Sequence, residues 1–207
     1  MPIVFACLSP HPPIILPSVG SKEDREKVKN TISALETLAE KLRNSEPDVI
    51  LISSPHPDWG FYVPLYFLAK NLKSEILFKK VELETTDFYF QEGKAFYQNL
   101  EKNKRYALIA SGDLSHCLKE DGPYGFHSDG PKFDKVLIQY LQEKNIQEIL
   151  KLDEYFPQAG ECGLGSFSFL LGLLATNAEI IKKDWQVEIL SYEGPFGVGY
   201  LVANFKI

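Results

Sequence analysis

Histidine is nearly absent from this sequence, with His11, His56, His116 and His127 the four in 207 residues. Cysteine is scarcer still. Cys7, Cys117 and Cys162 make an odd number, so they cannot form a complete set of internal disulfides, and a reduced, core-packed thiol is expected for Cys7 in its apolar run. A reducing, cytoplasmic setting fits that usage. Positive charge is also in deficit: 22 Lys and Arg face 28 Asp and Glu, giving a net charge of -6 and a pI near 5.3. Nucleic acid or an anionic membrane surface would want a basic face, so neither is expected as a partner. Long hydrophobic runs are missing as well. The start, "MPIVFACLSPHPP", carries no basic leader, and the apolar stretch from Leu164 to Ala175 is too short to cross a bilayer.

What the chain does have is 44% hydrophobic residues against 24% charged, the profile of a globular domain with a substantial core, read as one domain over residues 1–207. "IVFACL" at Ile3 to Leu8 and "DVILIS" at Asp48 to Ser53 read as buried strands. Between them, Ser21 caps a helix running to about Asn44, with Val28, Ile32, Leu35, Leu38, Ala39 and Leu42 on one face. Strand, helix and strand make a crossover unit with parallel strands. "PLYFLAKNLK" is expected to be helical, "EILFKKVEL" a half-buried strand, and "DFYFQEGKAFYQNLEKN" an amphipathic helix. "YALIAS", Tyr106 to Ser111, is a third buried strand, followed by the polar loop "CLKEDGPYGFHSDG" and a helix started by Pro131. "ECGLGSFSFLLGLLATNA" has the apolar surface of a core helix. "QVEILSYE" and "GVGYLVANFKI" pair as a C-terminal hairpin. The fold class is therefore α/β, with a central mixed, largely parallel sheet flanked by helices.

On that frame the scarce histidines stop looking random. His11 in "SPHPP" and His56 in "SPHPD" lie between two prolines, each just past a buried strand, and His116 in "SGDLSH" follows a third. All three belong at the carboxyl edge of one sheet, where open α/β sheets bind ligands. Proline fixes φ on one side of each imidazole and keeps it out of the α region on the other, giving a stiff stem suited to a metal ligand.

A carboxylate beside two histidines would give the facial triad of Fe(II) oxygenases, and two glutamates compete for that place. Glu161 in "AGECG" opens the apolar helix; Glu193 in "SYEGPFGVG" sits at the turn between the last strands. His116 is a candidate for a further ligand or, left free of a metal, for proton transfer near neutral pH, with Asp113 either orienting it or capping the following turn. Tyr124 and Phe126 in the polar loop are candidates to wall a pocket for a flat substrate. His127 in the same loop reads as solvated, with substrate binding the weaker assignment.

The motifs "SPHPP", "SPHP", "SGDLSH" and "AGECG", in this order over almost the whole chain, resemble the class III extradiol ring-cleavage dioxygenases, specifically the catalytic LigB-type subunit. "LSYEGPFGVGYLVA" is similar to the subgroup found beside, or fused to, AMMECR-type domains in the AmmeMemoRadiSam system, which includes Memo. The resemblance implies Fe(II) held by His11, His56 and Glu161, with His116 as acid/base toward a catecholic substrate and O2. It also implies AMMECR-type and radical SAM proteins as partners; a homo-oligomer is left open. Two alternatives stand beside it: the same site holding Zn for hydrolysis, or a non-catalytic, Memo-like accessory role. There is no clear basic cluster to hold an acidic aromatic substrate.

Overall fold

The computed structural model describes residues 3–207. Six strands form one sheet: β1 (Ile3–Ser9), β2 (Val49–Ser54), β3 (Glu75–Lys80), β4 (Tyr106–Ser111), β5 (Gln186–Glu193) and β6 (Tyr200–Lys206), in the order β3-β2-β4-β1-β6-β5. The first four are parallel, while β6 runs antiparallel to both β1 and β5. The expected mixed sheet and C-terminal hairpin are both present. In the β1–helix–β2 crossover, however, β4 lies between the two strands it joins. The ends of β1 and β2 therefore flank the end of β4, and three motif-bearing loops are adjacent.

The helices are α1 (Lys22–Lys27), α2 (Lys29–Asn44), α3 (Trp59–Leu68), α4 (Thr86–Gln98), α5 (Asp129–Glu143), α6 (Ile146–Ile149), α7 (Leu152–Tyr155) and α8 (Leu164–Ile181). Alternation along β1 sends Phe5 and Cys7 to the core under α2 and α3, and Ala6 and Leu8 to the core under α4, α5 and α8. Cys7 is buried and unpaired, and burial pushes its thiol far above the ordinary range. Helix α8 is 18 residues long and apolar enough to cross a membrane by length and composition, but most of it packs inside the fold.

Strand β3 stops at Lys80 and α4 at Gln98, short of the expected ends, and three helix starts differ in ways that bear on the site. The helix from Ser21 is two helices: Ser21 caps the first as expected, in a capping box completed by Asp24, but Val28 leaves helical geometry at φ -116°, ψ 21°. Because α2 starts afresh at Lys29, its first-turn donors need an acceptor, and Glu193 is that acceptor. Its carboxylate takes the Thr31 N–H and Oγ1–H, each at 2.7 Å, and the Asn30 amide at 3.1 Å. Helix α3 starts at Trp59, ahead of the expected "PLYFLAKNLK", and carries Pro64 inside it. Helix α5 starts at Asp129, two residues before Pro131.

Helices α4 and α8 cross at glycine on glycine. A Cβ on Gly93 would meet the Phe169 carbonyl oxygen at 2.1 Å, and one on Gly172 the Phe90 carbonyl oxygen at 2.1 Å. Both contacts are with backbone, which cannot swing aside. Gly172→Ala is therefore expected to destabilise the fold by about 1–3 kcal/mol through overpacking, despite alanine's better helix propensity. Denaturant unfolding of the variant checks this.

Candidate metal centre

The centre is built from the loops after β1, β2 and β4 and the segment entering α8. His11, at the end of β1, is buried, and its backbone N–H donates to Asp113 Oδ1 at 2.9 Å. Its ring orientation follows from a chain of hydrogen bonds. Pro64 has no N–H, so the helical acceptor one turn back, the Gly60 carbonyl, is spared the usual bond. Ser111, buried at the end of β4, donates its only hydroxyl proton to that carbonyl. The Ser111 oxygen, 2.9 Å from His11 Nδ1, must then accept the Nδ1 proton. The lone pair is left on Nε2, which faces the site.

His56 arrives from β2 with its ring centroid 5.1 Å from that of His11, at an interplanar angle of 77°. Its backbone N–H donates to Ser54 Oγ at 3.1 Å, and Gly60 makes room, since a Cβ there would lie 2.9 Å from His56 Cβ. A second glycine pair brings in the α8 segment. Gly112 packs on Gly163, where an added Cβ would meet Cα at 2.2 Å. This seats Cys162 against the β4 loop. Its Sγ lies 3.5 Å from His11 Nε2 and accepts the Asp113 N–H at 3.4 Å.

Ligand atoms of His11, His56 and Cys162 lie within 4.8 Å of one another, as do those of Asp113, His116 and Cys162. Glu161, the carboxylate expected in this place, is turned toward α8, where its Oε2 accepts the Leu164 N–H at 2.7 Å. Cys162, its neighbour in "AGECG", holds the position facing the histidines. His116 is fixed by its N–H to the Ala159 carbonyl at 3.1 Å, while its ring Nε2 is buried without a hydrogen-bond partner among the described residues. Tyr124 covers that ring at 4.9 Å between centroids.

Electrostatically the pocket disfavours charge of either sign. Desolvation, aided by His56, pushes His11 down to about 3, so it is neutral and able to coordinate. His116 is also lowered by desolvation, against the pull of Asp113. Desolvation raises Asp113 to about 6 and Glu161 to about 7, and lifts the Cys162 thiol well above its usual value. Neutral imidazoles beside acidic groups that a cation would ionise form a donor set suited to a divalent metal. The site opens into a cavity of about 170 Å³ walled by Pro12, Pro13, Trp59, Tyr124, Val198 and Tyr200. Among the described residues, no lysine or arginine lines it.

The remaining sequence candidates lie elsewhere. His127 is exposed, its Nδ1 accepting the Asp129 N–H at 3.2 Å, and Phe126 is held in a bridge with Leu118. Neither lines the cavity. Glu193 is engaged with α2. Trp59, Cys162, Ser111 and Tyr200 were not singled out from sequence. Cys162 and Trp59 stand one and three residues from assigned ligands, a proximity that marks them in retrospect.

Residues 56–203 match the family model described as the catalytic LigB subunit of aromatic ring-opening dioxygenase. The chain belongs to the LigB family. The match begins at His56 and leaves out His11, which the fold brings beside His56. Protein CA_C1420 of Clostridium acetobutylicum is 31% identical over 274 aligned positions, covering 96% of this chain. The chain spans 56% of that relative's length. The crystal structure of the uncharacterized protein JW3007 from Escherichia coli K12 has the same fold, with a TM-score of 0.54 over 97% of this chain and 99% of that one, at 11% identity.

Two predictions follow from the geometry. His11→Ala and His56→Ala should abolish stoichiometric metal binding and His127→Ala should leave it intact, while Ser111→Ala, which frees the His11 ring, should weaken it about 10–100-fold; metal titration of each variant measures this. The second concerns Asp134 in α5, buried, raised to about 7 by desolvation, and anchoring the His116 loop by accepting the Ser115 N–H at 2.8 Å while it also accepts the Tyr192 hydroxyl of β5 at 2.6 Å. An unfolded aspartate titrates near 3.9, so the folded protein binds the extra proton between about pH 4 and 7. This contribution to stability is complete below that window and is lost as pH rises through it, with Asp113 and Glu161 acting in the same sense. Asp134→Asn should flatten the fall in melting temperature between pH 4 and 8.

Proposed function

We propose that this protein is a metal-dependent extradiol dioxygenase that inserts O2 into the ring of a catecholic substrate. The observation that carries the reading is the convergence of His11 and His56 from the ends of β1 and β2, on either side of β4, beside a buried His116 Nε2 with no hydrogen-bond partner among the described residues. His11 and His56 would hold Fe(II). Cys162 would be the third donor as the side chains stand, and Glu161 would take that place only by giving up the Leu164 N–H that its Oε2 accepts. When bound, Fe(II) supplies Lewis acidity and a template for both substrates.

The chain's own residues do the rest. His116 is neutral, lowered by desolvation, so its Nε2 can accept a proton from a catechol hydroxyl and later return it to an oxygen of the opening ring. Tyr124 and Trp59 line the cavity as aromatic partners for a flat ring, and Pro12 and Pro13 add apolar wall. Lacking a lysine or arginine among its described lining residues, the cavity favours a neutral catechol over a carboxylated one. AMMECR-type and radical SAM proteins remain proposed partners on the strength of the motif resemblance.

The thiol of Cys162 also favours a second reading: two histidines and one cysteine form a catalytic zinc set with an open position for water, with His116 as the general base. One experiment separates the two. The protein is purified without oxygen, its metal is measured, and oxygen uptake is followed against a panel of neutral and carboxylated catechols. The dioxygenase reading expects bound iron and uptake with neutral catechols, reduced at least about 100-fold in His116→Ala with iron retained. Tight stoichiometric zinc with no uptake sinks it.

A further inference from the structure

The two edges of the sheet are finished differently. Strand β5 is blunted by an irregularity between Ile189 and Ser191, the usual way of discouraging a further strand. Strand β3 has neither bulge nor proline, and its register with β2 is unbroken from Glu75 to Lys80. The Glu75 N–H donates to the Asp48 carbonyl and the Val81 N–H to the Ser54 carbonyl, so the odd-numbered residues turn their backbone toward β2. By strand alternation, Ile76, Phe78 and Lys80 direct their N–H and C=O groups outward. The same residues carry the exposed face: Ile76 is 37% and Phe78 59% exposed. Phe78 borders a groove of about 450 Å³ shared with Phe61, Tyr62 and Leu65 of α3.

We infer that β3 pairs antiparallel with β3 of a second copy of this chain, about a twofold axis at Leu77. The register is argued from self-complementarity. A twofold through Leu77 sets Ile76 opposite Phe78 of the copy, twice, as hydrogen-bonded pairs that exchange both N–H groups and both carbonyls. It sets Glu75 opposite Lys79, also twice. Centring on Ile76 instead places Lys79 against Lys73, and centring on Phe78 places Ile76 against Lys80 and Leu77 against Lys79. Only the Leu77 register pairs both exposed apolar residues with each other and opposes unlike charges. Within the chain Glu75 bonds Lys104 and Lys79 bonds Glu92, so the two new pairs would join existing charge networks. The isologous contact closes on itself, joins two six-stranded sheets and covers the groove beside Phe78.

The test is the solution mass by sedimentation at about 100 µM, where a micromolar association is complete. The wild type is expected at twice the chain's 23.5 kDa. Phe78→Lys should give a monomer, and Lys79→Glu, which opposes Glu75 with a like charge, should weaken association at least about tenfold. Glu75→Lys combined with Lys79→Glu restores unlike charges and should restore the dimer. If Lys79→Glu unfolds on losing Glu92, the exposed Phe78→Lys variant decides alone. A monomeric wild type overturns the inference and leaves the edge to a strand of a different protein. So does a dimer that persists in both Phe78→Lys and a folded Lys79→Glu.

Discussion

A single hydroxyl proton organises the centre. Ser111 can give it to one acceptor only, and Pro64, by withholding its N–H from the Gly60 carbonyl, supplies that acceptor. The direction of this bond fixes the protonation of Nδ1 on His11 and so the side on which the imidazole presents its lone pair. An internal proline normally weakens a helix by about 3 kcal/mol. Here it frees a carbonyl for use on the neighbouring strand, so the irregularity in α3 and the order at β1 are two ends of one arrangement.

Close backbone approach is the second constraint. Gly112 against Gly163 draws the segment before α8 onto the loop after β4, and Gly93 against Gly172 fixes α8 itself on α4. The polar cluster of His11, Asp113, His116 and Cys162 is thus held by packed backbone, with little dependence on long side chains. Its groups are mutually desolvated, which explains why the imidazoles are pushed down while the carboxyls and the thiol are pushed up.

Much of this was legible in the sequence, and the reason is local. Buried strands of four to eight apolar residues, prolines flanking histidine, and the cap at Ser21 are all signals contained within a few positions. The strand ends bearing His11, His56 and His116 could therefore be placed at one sheet edge. What escaped depended on contacts across long separations. The insertion of β4 between β1 and β2 has no local signature. The break at Val28 is tied to Glu193, a residue 162 positions from the Thr31 it caps. The competition between Glu161 and Cys162 turns on which of two neighbours a helix N-terminus claims, and adjacency alone cannot decide that. Glu193 itself was read as a candidate ligand because an acid at a glycine-rich turn looks the same whether its partner is a metal or a helix.

The position of β6 has a bearing on how the chain folds. This strand, near the C-terminal side of the sequence, lies between β1 and β5, so β1 has its full set of backbone partners only when Ala6, Cys7 and Leu8 meet Phe205, Asn204 and Ala203. The strand that leads to His11 therefore depends on a partner far away in the sequence. A contact of such high sequence separation forms slowly, because the intervening chain loses loop entropy before any hydrogen bond is gained. Ordering of the His11 loop is thereby linked to a pairing between distant segments of the described residues, whereas the strands that lead to His56 and His116, β2 and β4, pair directly with each other.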